Sequence, residues 1–206
     1  MPPLSKVEWR AQIRSHRLSM DDGDRARAAA GLATAGLQMA SRLGSNPNAA
    51  AISAYVSVGS EPSTGLLLTA LTDAGHTVFV PVCESDHQLN WVEWRPGAPM
   101  ARSTLAPVME PVGTRYSFAE LGDVAVVLLP ALAVDTSGVR LGQGGGYYDR
   151  FLASLATTNN GALAGVSTAA VVYEHEVMAP LQLPHDAHDQ PVGYVLTPQG
   201  FLVTVK

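Results

Sequence analysis

Between Val139 and Phe151 the chain reads VRLGQGGGYYDRF, with four glycines in five positions: Gly142, Gly144, Gly145 and Gly146. Arg140 precedes them, and Tyr147, Tyr148, Asp149 and Arg150 follow. Successive glycines let backbone N–H groups converge with no Cβ in the way. A helix beginning directly afterwards adds its free N–H groups and the positive end of its dipole. The chemistry such a run suits is anion binding, phosphate above all, with Arg140 and Arg150 adding charge. The competing reading is a tight strand-to-helix turn, but a turn alone does not require the entropic cost of so many glycines. Neither common phosphate motif is present. The pattern G-x-G-x-x-G needs glycine at 147, where Tyr147 stands, and the P-loop needs Lys followed by Ser or Thr.

Further residues could complete such a site. Asp149 falls in the first turn of the helix after the glycines. It is either a helix N-terminal charge, the commoner role, or a Mg²⁺ ligand beside bound phosphates. Lys6, Arg10, Arg14 and Arg17 recur at helical spacing and share a face. That face is either solvated or reaches for a nucleotide phosphate. Glu61, in VSVGSEPST, can accept hydrogen bonds from the N–H groups of a heterocycle, or can simply start a helix. The segment LPHDAHDQP holds His185, Asp186, His188 and Asp189, at a spacing that matches no standard zinc motif. Its histidines read as surface residues, and Asp189 gains interest if it faces Asp149, because two carboxylates can share one Mg²⁺. Of Tyr147 and Tyr148, one is expected to stack on a ligand and one to anchor the helix in the core. Trp91 and Trp94 fall on opposite strand faces and read as core. No Ser-His-Asp or Cys-His arrangement stands out, so no protein nucleophile is expected.

The elements that must position these residues alternate. SKVEW opens with a capping box, Ser5 and Glu8, and predicts a helix from about Lys6 to Leu18. A second helix follows the cap signature at Ser19 to Asp22 and runs to Arg42. NAAAISAYVSV ends as a strand, EPSTGLLLTALTDAG reads as loop then helix, and HTVFVPV and LNWVEW read as short strands. Residues 96 to 117 are expected to be irregular. DVAVVLLP is a continuous apolar strand buried on both faces, ended by Pro130. A helix after the glycines runs to about Leu155, GALAGVST and VGYVLT complete the strands, and GFLVTV reads as an antiparallel edge. This alternation predicts one α/β domain spanning 1–206, three-layered α/β/α and Rossmann-like, with a mostly parallel sheet. Ligands bind such folds beyond the carboxyl ends of the strands. The 206 residues carry a net charge of −5 and one cysteine, Cys83. The charge argues against a nucleic-acid partner, and a lone cysteine cannot form an intramolecular disulfide. The N-terminal stretch lacks the apolar run of a secretory signal, and no uninterrupted apolar stretch is long enough to span a bilayer. These features predict a cytoplasmic protein acting on small molecules, expected as a monomer.

LLPALAVDTSGVRLGQGGGYYDRFL resembles the signature of the 5-formyltetrahydrofolate cyclo-ligases, also called 5,10-methenyltetrahydrofolate synthetases. Pro130, Asp135, Arg140, Leu141, Gly142, Gly144, Gly146, Tyr147, Tyr148 and Asp149 all match it. The likeness extends to Lys6-x-x-x-Arg10, Glu61-x-x-Thr64, VMEP at 108–111 and LPHDAHD. The resemblance implies ATP-dependent closure of 5-formyltetrahydrofolate to 5,10-methenyltetrahydrofolate, with ADP and phosphate released. It implies that Lys6, Arg10 and Arg14 bind ATP phosphates, and that Arg140, Leu141, Gly142, Gln143, Gly144, Gly145, Gly146, Tyr147 and Tyr148 wrap the triphosphate. It further implies that Val56 and Glu61 hold the pterin, that Gln143 through Tyr147 also touch the folate, and that Asp149 and Asp189 bind Mg²⁺. Gln143 and Gly145 depart from the basic residues of some members, and Gly193 from a frequent acidic one. The segment Tyr173–Leu183 is longer than usual. Without the resemblance, another ATP-dependent kinase or ligase, or a non-catalytic nucleotide- or folate-binding protein, fits the same residues.

Overall fold

The computed structural model describes residues 4–43, 50–157, 166–186 and 189–205. His188 and the first residues of the expected strand GALAGVST lie outside them. The capping box forms as its residues predict: Ser5 Oγ accepts from the Glu8 N–H at 3.3 Å and the Glu8 carboxylate accepts from the Ser5 N–H at 2.8 Å. It starts α1 (Lys6–Ser19), and Asp21 caps α2 (Asp22–Arg42). Two more helices follow, α3 (Gly65–Asp73) and α4 (Tyr147–Thr157). The strands in chain order are β1 (Ala51–Ser53), β2 (Val78–Cys83), β3 (Leu89–Glu93), β4 (Met100–Arg102), β5 (Met109–Pro111), β6 (Val124–Pro130), β7 (Ala133–Asp135), β8 (Arg140–Leu141), β9 (Ser167–Val171), β10 (Val177–Met178), β11 (Tyr194–Thr197) and β12 (Gly200–Val203).

The main sheet has the order β12-β11-β9-β6-β1-β2-β3. Neighbours from β11 to β2 run parallel, and β12 and β3 are antiparallel edges. The apolar β6 takes the centre, where both faces of a strand are covered. Its side chains divide by parity. Val126 and Leu128 join Leu32, Met39, Leu67 and Leu68 under α2 and α3. Val127 and Leu129 face α4 and the helical turn Phe118–Leu121, where Trp91, Phe118 and Phe151 meet with ring centroids 4.8–5.0 Å apart. Trp94 packs on the α2/α3 side, opposite Trp91. The result is the three-layer α/β/α arrangement with a mostly parallel sheet. Among the described residues no helix is long and apolar enough to cross a membrane.

Three local expectations shift. Residues 96–117 are not all irregular: β4 and β5 pair as a hairpin, and Tyr116 bridges Trp91. Of the described residues of NAAAISAYVSV, Ala51–Ser53 form the strand, after which the chain turns to carry the Glu61 loop. The strand read from GALAGVST begins at Ser167 and continues to Val171, where alanines fit beneath the packed neighbours. A second, small sheet, β10-β7-β8, sits against α1 through Ile13, Leu132, Ala133, Leu141 and Leu183. This contact brings the first helix over the glycine run.

Candidate active site

After β6 the chain doubles back through β7 and β8 before reaching the glycines. Asp135 makes that turn. Its Oδ1 accepts from the N–H groups of Ser137 and Val139, both at 3.0 Å, and from the Ser137 hydroxyl at 2.6 Å. Its Oδ2 accepts from the Leu181 N–H at 3.1 Å. This buried carboxylate is fully engaged by the turn, and its task is to aim Arg140. Leu141 is buried in the α1 contact and fixes the base of the loop. Gly144 and Gly146 then take φ of +101° and +75°, conformations that L side chains rarely adopt. A Cβ on Gly142 would stand 2.7 Å from the Arg140 guanidinium. Gly145 has neither constraint. Among the described residues, no protein acceptor is hydrogen-bonded to the N–H groups of Gly142, Gln143, Gly144, Gly145 or Gly146. These donors lie at the open N-terminus of α4.

The cations of α1 stand over the same loop. Arg10 Nε donates to the Gly142 carbonyl at 2.9 Å, and Arg14 to Gln143 Oε1 at 2.9 Å. Lys6 Nζ lies 2.8 Å from Asp186 and 2.5 Å from Asp189. Burial works against the Lys6 ammonium, but hydrogen bonds to these two carboxylates outweigh it and raise its pKa. Arg140 is paired with Asp149, and its Nε, buried, has no partner. Arg17, expected on the same basic face, is instead fully buried. It forms a bidentate pair with Glu176 at 2.6 and 2.8 Å and donates to the Ala131 carbonyl at 2.7 Å. That pair ties α1 to the chain beyond β9 and so sets where Lys6, Arg10 and Arg14 fall.

Glu61 enters from the loop after β1. Thr64 stitches that loop: its hydroxyl donates to the Tyr55 carbonyl at 2.7 Å and accepts from the Ser57 N–H at 3.0 Å. Glu61 is buried. One carboxylate oxygen accepts from the Val58 N–H at 2.9 Å and the other from Gln143 Nε2 at 3.3 Å. Desolvation raises its pKa, and these hydrogen bonds only partly oppose the shift. Gln143 thus joins Arg14 to Glu61. A cavity of ≈ 200 Å³ opens here, with Val58, Glu61, the glycine run, Tyr147, Tyr148 and Asp149 in its wall. Val56 packs against the α2/α3 core, and Val58 is the wall residue. Tyr148 anchors α4 in the core, while Tyr147 meets His87 edge-on at 5.2 Å. Arg140 also lines an adjoining cavity of ≈ 780 Å³ with His185, Asp189 and Thr168.

The profile of the 5-formyltetrahydrofolate cyclo-ligase family matches residues 4–198. The chain belongs to that family. The 5-formyltetrahydrofolate cyclo-ligase of Mycolicibacterium smegmatis is 33% identical over 213 residues, covering 100% of both chains. The Escherichia coli K12 protein of the same name is 29% identical, covering 79% of this chain and 87% of its own. Among solved structures, 5,10-methenyltetrahydrofolate synthetase from Aquifex aeolicus superposes with a TM-score of 0.70 at 21% identity, covering 98% of this chain and 94% of that one. The synthetase from Mycoplasma pneumoniae gives 0.67 at 15% identity, covering 95% and 99%. These two likenesses are of fold.

Within this cyclo-ligase-family frame, the sequence missed one wall of the cavity. The β4/β5 hairpin supplies Ala106 and Val108 from its loop and Met109 and Glu110 from β5. Buried Glu110 accepts from the Cys83 N–H at 2.7 Å and so clamps the hairpin to the end of β2. Cys83 is half-buried in the cavity wall. Burial, and then its hydrogen bond to Glu110, push its thiol up to about 11, so it stays protonated and unreactive near neutrality. The VMEP motif was the one signal for this wall. Asp149 lines the smaller cavity and Asp189 the larger, with Arg140 in the wall of both, and each offers carboxylate oxygens of the kind that suit a hard cation. Among the described residues no three metal-ligating side chains form a cage of their own. Mg²⁺ typically takes one or two carboxylates and completes its shell with phosphate oxygens and water.

Proposed function

We propose that this family member converts 5-formyltetrahydrofolate to 5,10-methenyltetrahydrofolate at the expense of ATP, with Mg²⁺ on Asp149 and Asp189. The observation that carries the reading is the row of uncommitted N–H groups from Gly142 to Gly146 in the wall of the cavity that also holds buried Glu61. Donors for phosphate oxygens and an acceptor for the N–H groups of a heterocycle are thereby set side by side.

A formyl oxygen is a poor leaving group until it is phosphorylated. The glycine-run amides, with Lys6, Arg10 and Arg140, orient the triphosphate and neutralise charge as the γ-phosphoryl group moves to that oxygen, breaking its bond to ADP. Phosphoryl transfer asks the protein mainly for positioning and charge stabilisation. Mg²⁺, when bound, neutralises phosphate charge. Glu61 accepts hydrogen bonds from pterin N–H groups and fixes the folate so that N10 faces the activated carbon. N10 attack closes the ring, and release of the N10 proton to water with cleavage of the C–O bond, which frees phosphate, gives the methenyl product. No step needs a protein nucleophile, in keeping with a protonated Cys83. The apolar hairpin tip shields the activated carbon from water.

The test follows methenyl-folate absorbance with 5-formyltetrahydrofolate, ATP and Mg²⁺ present and then each omitted, with ADP measured in parallel. Product and ADP are expected in equal amounts and only in the complete mixture. ADP release that needs a different acceptor, or ATP binding without turnover of any folate, would replace the proposal with another kinase or with a binding protein.

A further inference from the structure

The turn from β2 to β3 stands at the carboxyl end of the parallel strands, and the function proposed above gives it no task. The Gln88 N–H donates to the Ser85 carbonyl at 3.1 Å, and the two residues between them, Asp86 and His87, have φ of +58° and +56°. A hairpin turn with positive φ at both central positions favours Asn-Gly or Asp-Gly, because glycine has no Cβ to strain there. This chain supplies the aspartate and then a histidine, whose side chain is exposed. A side chain kept on backbone that suits glycine, with no burial to gain, directs attention to what that side chain touches.

It touches α4. The His87 and Tyr147 rings meet edge-on, with centroids 5.2 Å apart. Arg150, three residues further along α4, donates from Nη1 to the Asp86 carbonyl at 2.9 Å. Arg150, read from the sequence as a further charge for phosphate, is thus engaged by the turn, and the turn is fastened to α4 at two points. Tyr147 is half-buried in the wall of the cavity that holds Glu61. Its ring also lies against the glycine run, since a Cβ on Gly145 would stand 3.5 Å from one of its carbons. His87 itself lines a separate cavity of ≈ 300 Å³, with Trp91, Phe118 and Arg150, so it reaches the folate cavity through Tyr147. We infer that His87 is a positioning residue: the β2–β3 turn holds its imidazole on the edge of Tyr147 and so fixes that ring as a wall against which the aromatic part of the folate packs. The inference rests on the function proposed above. The backbone of Tyr147 belongs to the helix start that faces phosphate, while its ring belongs to the folate cavity. The effect of His87 therefore falls on folate and spares the nucleotide.

Calorimetric titration of the full chain with 5-formyltetrahydrofolate and, separately, with ATP and Mg²⁺ tests this in His87→Gly. Glycine suits the turn and removes the ring, so the fold and the site respond in opposite directions. The urea midpoint is expected to hold or rise. Folate affinity should fall about two- to tenfold, the scale of one aromatic pair, and ATP affinity should stay unchanged. The deciding measurement repeats His87→Gly in a Tyr147→Leu background. If His87 acts through the Tyr147 ring, the loss of folate affinity disappears there. A loss that persists in that background, an unchanged folate affinity in the single variant, or a midpoint that falls together with both affinities overturns the inference and leaves the proposed function standing. Wild-type protein that binds ATP but no 5-formyltetrahydrofolate overturns the function and the inference with it.

Discussion

Two glutamates lie buried on either side of Tyr173, and they are treated in opposite ways. Glu176 is gripped by both arms of Arg17 and by the Tyr173 N–H at 2.9 Å. Glu61, whose carbonyl accepts from the Tyr173 hydroxyl at 3.4 Å, has no cation bonded to its carboxylate among the described residues. It makes do with one backbone N–H and a long contact from an exposed glutamine. The same side chain at similar burial is an anchor in one place and an open acceptor in the other. The difference lies in the partner. A bidentate arginine satisfies the carboxylate with a planar fork and little residual capacity. An amide leaves it desolvated, with its pKa raised, in a cavity wall. A polar group held below its bonding capacity, where a ligand can reach it, marks a site; one held at capacity marks structure.

Breaking the anchor is expected to give the largest effect. Arg17→Ala leaves the Glu176 carboxylate buried without its partner, and loss of one member of a buried pair costs about 3–5 kcal/mol. The urea midpoint of the variant should fall accordingly, and ATP affinity should fall as well, because α1 carries Lys6, Arg10 and Arg14. Replacing both partners, Arg17→Met with Glu176→Leu, should recover most of the stability, since no lone charge remains. If the single variant kept its midpoint, Glu176 would be no anchor and the contrast with Glu61 would dissolve.

The contrast also explains what could be read from the sequence. The glycine run was legible because its meaning is local: neighbouring residues decide where its N–H groups point, and a helix start follows within the same stretch. The central β6 was legible because an apolar run with no alternation has few other fates. Arg17 was not legible. Helical spacing placed it beside Lys6, Arg10 and Arg14, but its partner lies 159 residues away, and nothing local distinguishes a buried arginine from a solvated one. The hairpin wall failed for a related reason. Its strands are three residues each, in Pro- and Gly-rich surroundings, and they are tied down by Glu110 reaching the Cys83 backbone. Val56 and Val58 show the limit from the other side. The resemblance implied Val56; strand alternation would put both on one face, but the chain leaves the sheet after Ser53, and Val56 packs into the core while Val58 turns to the cavity.

Filling the open acceptor with an amide sharpens the comparison. Glu61→Gln should weaken folate binding about 10- to 100-fold, the scale of hydrogen bonds to a charged group worth about 1.5–3 kcal/mol. ATP affinity should change much less. The sign in pH follows from the raised pKa. Below the ordinary glutamate range both folded and unfolded chains hold the proton, and Glu61 contributes no difference. As pH rises through that range toward the raised folded-state value, the unfolded chain ionises first, and the native protein loses stability that the Gln variant keeps. The variant should therefore be as stable as wild type in acid and more stable near neutrality. Folate affinity of wild type should rise over the same interval, as the acceptor becomes ionised. Equal losses of folate and ATP affinity, or a stability difference that shrinks with rising pH, would remove Glu61 from the open-acceptor class.

The smallest effect should come from within the glycine run, where neighbouring residues differ. Gly144 and Gly146 are held at φ +101° and +75°, and an alanine forced into a left-handed conformation costs about 1–2 kcal/mol. Gly144→Ala and Gly146→Ala should let the loop relax toward negative φ, turn its amides, and lower ATP affinity by about five- to thirtyfold. Gly145 has no positive φ, and a Cβ there would meet only two Tyr147 ring carbons, at 3.5 and 3.9 Å, ordinary van der Waals contact. Gly145→Ala should thus change stability by less than about 0.5 kcal/mol and leave binding intact. Gly145→Lys should go further and tighten ATP binding, because the position is exposed and a cation there adds charge beside the proposed triphosphate. Calorimetry on the four variants reads the order directly. A Gly145→Ala loss as large as that at Gly144 would mean that space, not backbone direction, governs the loop, and the row of open N–H groups would lose its standing as the phosphate site.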